Sequence, residues 1–156
     1  NFSSNHYFVD GIKGVKVTYW PNAIIGLNGS VEQKDWQLCK DLGPRYLFAG
    51  EMYSGWLTHW EEGQWNGKWV EKFLEDYQFL MKNNYSFNMY MAHGGTNFGL
   101  TAGANGYKKE LYNYRCDVTS YDYDAPITEN GLITKKITYF KQFIAPNVTW
   151  PIPDTP

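Results

Sequence analysis

Tyr46-Leu47-Phe48-Ala49-Gly50-Glu51 is an apolar run that ends on a carboxylate, and it decides how the rest of the chain is interpreted. The run follows Gly43-Pro44, so it predicts a buried strand over residues 46–50. A carboxylate at the end of such a strand must be paired, hydrogen-bonded or used in chemistry. Aromatic side chains follow it: Tyr53, Trp56 and Trp60. Aromatic faces stack on sugars while a carboxylate acts at the anomeric carbon, so this is the layout of a sugar-cleaving site. From this stretch alone, a Glu that only caps the next helix or pairs with an Arg or Lys is an equally good interpretation.

The order of predicted elements around this run is strand, helix, strand, helix, strand, helix. Strands are predicted over 15–20, 46–50 and 86–92. Helices are predicted over 30–42, over 68–81 and after Thr134. Ser30 and Thr134 are the expected N-terminal caps of the first and last helix. Such a βα order implies parallel strands. A complete (β/α)₈ barrel needs ~250 residues, so 156 residues fit a small open sheet or part of a barrel. No dinucleotide or P-loop glycine motif is present, which favours part of a barrel over 1–144, followed by a proline-rich linker over 145–156.

Composition excludes several function classes. The net charge is −2 and the basic residues are scattered, so nucleic acid is not an expected partner. No apolar run approaches the ~20 residues of a membrane span, so no membrane contact is expected. Aromatic residues make up 19% of the chain, more than a small core needs, and so indicate a binding surface. Sequons starting at Asn1, Asn28, Asn84 and Asn147 favour a secreted or lysosomal protein, and accidental sequons in a bacterial protein are the alternative.

Metal and serine chemistry find no support in the sequence. The three histidines lack the spacing of metal ligands. No serine lies in the G-x-S-x-G motif that a serine hydrolase of this kind needs. We therefore interpret His93-Gly94-Gly95 as a tight turn after a strand rather than an oxyanion hole. Cys39 and Cys116 are too few for a zinc site. Pairing with each other, pairing outside this chain and free thiols all remain open.

The stretch Thr119-Ser120-Tyr121-Asp122-Tyr123-Asp124-Ala125-Pro126 alternates tyrosine with aspartate. If it is extended, the tyrosines point one way and the aspartates the other. It is then either an edge strand with one solvated face or a pocket wall. In the pocket interpretation the tyrosines contact a sugar and the aspartates brace neighbouring loops.

Three motifs in this order resemble the β-galactosidases of glycoside hydrolase family 35. They are Glu51-Met52-Tyr53-Ser54-Gly55-Trp56-Leu57-Thr58-His59-Trp60, Met89-Tyr90-Met91-Ala92-His93-Gly94-Gly95-Thr96-Asn97-Phe98-Gly99, and the Tyr-Asp stretch through Ile127. The resemblance implies a (β/α)₈ barrel of which this chain is about strands six to eight. It makes Glu51 the nucleophile and assigns substrate contacts to Tyr53, Trp56, Tyr90, Tyr121 and Tyr123. Thr58, Glu61 and the stretch 100–102 depart from the family pattern, on the side of the leaving group.

The family's acid/base Glu lies in an Asn-Glu-Tyr-Gly context that this chain lacks. A retaining glycosidase needs both carboxylates. The resemblance therefore implies part of a retaining exo-β-galactosidase that acts on a β-galactoside or oligosaccharide with no cofactor and no metal. The chain is expected to pack against the remainder of its own barrel and to be inactive alone. The alternatives are a non-catalytic carbohydrate-binding relative and an exo-β-glucosaminidase of similar architecture.

Overall fold

The structure is a computed structural model that describes residues 8–11, 24–41, 46–62, 67–106, 114–149 and 151. The described residues form two compact units. The first contains those within Asn1–Tyr53 and Glu75–Tyr90, and the second contains those within Ser54–Leu74 and Met91–Pro156. The candidate nucleophile and the Tyr-Asp stretch belong to different units.

The first unit is built on a parallel sheet of four strands in chain order. The strands are β1 (Phe8–Gly11), β2 (Ile24–Asn28), β3 (Leu47–Tyr53) and β4 (Ser86–Tyr90). The predicted parallel α/β class is therefore confirmed, and the sheet formed by the described residues does not close into a barrel. Parallel strands place their carboxyl ends at one edge of the sheet, where sites in such folds occur.

Two helices pack in this unit through aromatic side chains. Helix α1 is Gln33–Asp41, and its fully buried Trp36 stacks on Tyr85 with ring centroids 4.2 Å apart. Helix α2 is Val70–Lys82, and the boundary between the two units falls within it. Its buried Tyr77 donates a hydrogen bond to the Met52 carbonyl oxygen at 2.9 Å, which ties the helix to β3.

The described residues of the second unit include helix α3, Lys135–Ile144, and the start of α2. Thr134 caps this helix by accepting a hydrogen bond from the Lys136 amide, as predicted. Phe140 of α3 packs on Phe73 at a centroid distance of 5.9 Å. The strands β5 (Ala104–Asn105) and β6 (Arg115–Cys116) form a two-stranded antiparallel sheet.

Several element boundaries differ from those predicted. The strand predicted over 15–20 lies outside the described residues, and β2 was not predicted because Gly26 interrupts its apolar run soon after Pro21. Helix α1 begins at Gln33 rather than Ser30, whose hydroxyl instead donates to Asp35. Strand β3 continues through Tyr53, whereas the predicted strand ended at Gly50.

At the end of the chain, Ala145–Asn147 forms a 3-10 helix directly after α3, so the start of the predicted linker is helical. Cys39 and Cys116 are both free thiols. None of the helices in the described residues is long and apolar enough to cross a membrane.

Candidate active site

An irregularity in β3 places Glu51. The pairing register of β3 with β2 shifts so that Asn28 lies opposite Glu51, and the register with β4 shifts between Ala49 and Met52. Ala49 and Met52 are both buried although three positions separate them, which regular alternation would not allow. One extra residue in β3 is a β-bulge, a feature that redirects side chains near active sites. Glu51 and Tyr53 then share the side opposite the buried pair.

The Glu51 side chain is half-buried and accepts a hydrogen bond on Oε2 from the Tyr53 hydroxyl at 3.0 Å. Tyr53 in turn meets Tyr90 of β4 edge-to-face, with ring centroids 6.1 Å apart. Glu51 lies near the carboxyl end of a parallel strand with Tyr53 beside it, as predicted. The expectation that Tyr123 also lies near Glu51 stays a prediction. The first unit thus brings together a carboxylate and two of the predicted sugar-binding tyrosines.

The other three predicted sugar-binding residues lie together in the second unit. The Tyr123 ring centroid is 5.3 Å from that of Tyr121 and 5.9 Å from that of Trp56. Tyr123 is buried, whereas Trp56 is 45% exposed and so available to a ligand. The three rings form one aromatic cluster of 56, 121 and 123.

The Tyr-Asp stretch is not extended, so the alternation expected for an extended chain does not apply and the edge-strand alternative is wrong. Tyr123 and Asp124 have φ values of 65° and 50°, which turn the backbone. Asp122 stabilises this turn by accepting hydrogen bonds from the Asp124 amide at 3.2 Å and the Glu129 amide at 2.9 Å. Asp124 braces a neighbouring loop as expected, because its carboxylate accepts a hydrogen bond from the Lys68 amide. The sugar-pocket interpretation that went with this expectation stays a prediction.

Lys136 is the main brace of the turn, and sequence analysis missed it. Its buried ammonium forms an ion pair with Asp124 and also donates to the carbonyl oxygens of Ser54 at 2.9 Å and Asp124 at 2.7 Å. The Asp124 carboxylate accepts a further hydrogen bond from the Lys68 amide at 2.8 Å. Burial lowers the pKa of Lys136, and the bond to Asp124 partly opposes this. The signal in the sequence was a lysine four positions before Phe140, on the apolar stripe of α3.

Two glycines allow the Tyr-Asp turn to approach its neighbours. A Cβ at Gly55 would lie 1.9 Å from the Tyr123 carbonyl oxygen, and a Cβ at Gly94 would lie 1.7 Å from that of Tyr121. Only glycine fits at either position. The interpretation of Gly94 as a backbone requirement rather than an oxyanion hole is therefore supported. The first and second motifs contact the third through these glycines.

A buried histidine cluster fastens the loop that carries Trp56. His59 contacts the Glu62 carboxylate through Nδ1 at 2.8 Å, and its Nε2 lies 3.0 Å from the Asn105 amide oxygen and 3.3 Å from an Asp117 carboxylate oxygen. Burial alone lowers the pKa of His59, but the hydrogen bonds to Glu62 and Asn105 and the nearby carboxylates raise it above its ordinary value. The sequence showed His59 only as a residue without metal-ligand spacing. Within the described residues no group of three or more potential ligands is placed to hold a metal ion.

Glycoside hydrolases act through a pair of carboxylates, and Glu51 beside Tyr53 and Tyr90 offers one such group. Residues 14–146 match the family model of the glycosyl hydrolases family 35, and the chain belongs to that family.

Relatives from plants and animals agree with this assignment. The chain is 46% identical over 85 residues to beta-galactosidase 17 of Arabidopsis thaliana, which is 53% of this chain and 12% of that protein. It is 44% identical over 101 residues to beta-galactosidase 8 of Oryza sativa subsp. japonica, 64% of this chain and 14% of that protein. Against the human beta-galactosidase it is 37% identical over 106 residues, 68% of this chain and 14% of that protein. The chain thus spans only a small part of the length of these relatives.

Proposed function

We propose that this chain is the nucleophile-bearing part of a retaining exo-β-galactosidase that hydrolyses terminal β-D-galactosyl residues. The observation that carries the proposal is Glu51 itself, on a bulge near the carboxyl end of a parallel strand with its carboxylate held by Tyr53. The family match and relatives named beta-galactosidase support the substrate class.

In the proposed reaction Glu51 attacks the anomeric carbon and forms a covalent galactosyl ester. The bond to the leaving-group oxygen breaks, and that oxygen takes a proton from a second carboxylic acid. Water then attacks the same carbon, the second carboxylate accepts the water's proton, and Glu51 is released. No metal or other cofactor enters either step.

The second carboxyl group is proposed to come from outside these 156 residues. Asp122 and Asp124 are the acidic residues nearest the aromatic cluster in sequence, and both accept backbone hydrogen bonds in the turn. A carboxylate that braces a turn in this way is poorly suited to donate a proton to a leaving group. Tyr53, Tyr90, Trp56, Tyr121 and Tyr123 are proposed to contact the galactosyl ring.

The family implies a (β/α)₈ catalytic barrel. If β3 is its seventh strand, then β1 to β4 are strands five to eight, one strand more than the sequence indicated. The remainder of that barrel is the proposed structural partner. A secreted or lysosomal location is proposed from the sequons, since Asn84 and Asn147 are exposed and so available for glycosylation. Asn28, which lies opposite Glu51 in the sheet, is half-buried and a poor acceptor.

The test is covalent trapping in the full-length protein with an activated 2-deoxy-2-fluoro-galactoside, followed by peptide mass spectrometry. The label is expected on Glu51, and Glu51→Gln is expected to abolish labelling while the fold is retained, because the amide is isosteric and a poor nucleophile. Glu71→Gln, at an exposed position in α2, is the matched control and should label normally. A label on another residue contradicts the proposal. No label with the galactoside, together with turnover of a β-glucosaminide, indicates the glucosaminidase alternative, and inactivity of the full-length protein indicates a binding relative.

The same assignment predicts that the 156 residues expressed alone do not hydrolyse a nitrophenyl β-galactoside. Loss of general acid catalysis removes a factor of ~10²–10⁴. Turnover by this segment would show that Asp122, Asp124 or another acid within it protonates the leaving group, and the assigned roles would be wrong.

A further inference from the structure

We infer that Gly29 is a positioning residue for the nucleophile, acting through Tyr53. This inference rests on the proposed role of Glu51. Gly29 follows the last residue of β2 and has a φ of 65°. Its amide donates a hydrogen bond to the Glu51 carbonyl oxygen at 2.7 Å, so it contacts the bulge that redirects Glu51.

The space beside Gly29 is filled by the Tyr53 ring. A Cβ at Gly29 would lie 2.5 Å from Cε2 and 2.6 Å from Cδ2 of that ring, closer than non-bonded carbon atoms approach each other. Any other residue at position 29 must therefore displace the ring. The hydroxyl of the same ring donates to Glu51 Oε2 at 3.0 Å, so a displaced ring loses or weakens that hydrogen bond.

A glutamate side chain has several rotamers of similar energy. The orientation of the Glu51 carboxylate therefore depends on this hydrogen bond. A hydroxyl that holds Oε2 restricts the orientations that the carboxylate can adopt. Holding a reacting atom near its attack geometry is a major source of rate enhancement. Gly29 thus supports the nucleophile at two places, at its backbone carbonyl and, through Tyr53, at its carboxylate.

Two effects of Gly29→Ala must be separated. Alanine at this positive φ is strained whatever space surrounds it. Gly131 offers the matched control, because it has a φ of 86° and an added Cβ there meets nothing within 4 Å. Gly131→Ala carries the backbone strain without displacing a ring, so the difference between the two variants reports the contact with Tyr53.

The experiment measures the rate constant of covalent labelling by the 2-fluoro-galactoside in the full-length protein and its variants. Gly29→Ala is expected to lower this rate constant roughly tenfold to a hundredfold, the range for losing a hydrogen bond to a charged group. Gly131→Ala is expected to leave it unchanged. Tyr53→Phe removes the hydroxyl but keeps the ring, and is expected to reproduce the loss.

A double-mutant cycle then distinguishes positioning from general destabilisation. In the Tyr53→Phe background the hydrogen bond is already absent, so Gly29→Ala should lower the labelling rate by less than about threefold. An equal loss in both backgrounds overturns the inference. Normal labelling of Tyr53→Phe also overturns it, and this variant can be tested even if Gly29→Ala does not fold. A label found away from Glu51 in the unsubstituted protein contradicts the proposed function instead, so the two failures are distinguishable.

Discussion

The two units hold their candidate site residues by different physical means. In the first, Glu51, Tyr53 and Tyr90 stand on neighbouring strands, and the hydrogen bonds of a parallel sheet fix the backbone that carries them. In the second, Trp56, Tyr121 and Tyr123 lie on irregular backbone. That backbone is held by side chains and by glycine contacts.

This difference predicts different sensitivity to substitution. A strand keeps its position when one side chain changes, because every residue contributes to the ladder of main-chain hydrogen bonds. A loop cluster that depends on a few buried polar contacts loses its geometry when one of them is removed. The second unit is therefore expected to be the more fragile part of the site.

The largest effect is expected for Lys136→Met. It removes the ammonium that joins Asp124 to the carbonyl oxygen of Ser54, so the Ser54 oxygen loses this donor and the Asp124 carboxylate keeps only the Lys68 amide of the two donors described above. The expected destabilisation is about 3 kcal/mol, at the low end for breaking a buried ion pair because Asp124 is partly exposed. Hydrogen exchange followed by mass spectrometry should show faster exchange in segments 54–62 and 121–134, with β3 and β4 unchanged.

Lys135→Met is the control, since the adjacent Lys135 is exposed. It should leave exchange unchanged throughout. Equal acceleration in the sheet and in the loops after Lys136→Met would show that the two units unfold together, and the comparison between them would lose its basis.

A somewhat smaller effect is expected for Gly94→Ala. The new Cβ would overlap the Tyr121 carbonyl oxygen, and backbone cannot move aside as a side chain does. We expect a loss of about 2–3 kcal/mol in the free energy of unfolding, measured with denaturant. Gly99→Ala in the same loop provides the control, because an added Cβ there meets nothing within 4 Å and only its φ of 52° adds strain. A loss no greater than that of the control would mean that the Tyr-Asp turn does not need this close approach.

The contrast between regular elements and loops held by side chains also explains which features could be predicted from the sequence. Strand β4, helix α2 and the Thr134 cap follow from local periodicity and capping chemistry, and the structure places them within a few residues of their expected bounds. The position of Glu51 near a strand end also followed from local pattern. Its role, and those of the five aromatic residues, came from resemblance to a family and stay proposals.

Features set by tertiary contacts were not predictable from local sequence. The bulge in β3 depends on the register of two neighbouring strands. The turn at Tyr123 and Asp124 depends on Lys136 and on the glycine contacts, although the alternating sequence is typical of an extended strand. Lysine is mostly exposed in proteins and histidine is intermediate, so the burial of Lys136 and His59 had no local signal beyond their positions among apolar residues.

The smallest expected effect concerns pH and His59. This side chain faces Glu62 from its own loop, Asn105 from β5 and Asp117 after β6, while Arg115 of β6 contacts the Glu62 carboxylate at 3.4 Å. These contacts raise the pKa of His59 above its ordinary value of 6.5. The folded state therefore holds the proton more tightly than the unfolded chain. The resulting stabilisation is complete below pH 6.5 and is lost as pH rises through the folded pKa.

The second unit should thus be more resistant to opening at about pH 5 than at about pH 8. The measurement is the free energy of opening for amides in segment 54–62, from hydrogen exchange corrected for the intrinsic pH dependence. His59→Gln should remove this part of the pH dependence, since the amide does not titrate in that range. His93→Gln, at an exposed position, should leave it in place. Because β3 has no buried histidine among its own residues, its amides should show a smaller change across the same range. An equal change in β3 and in the loop would place the titrating group elsewhere and remove His59 as the cause.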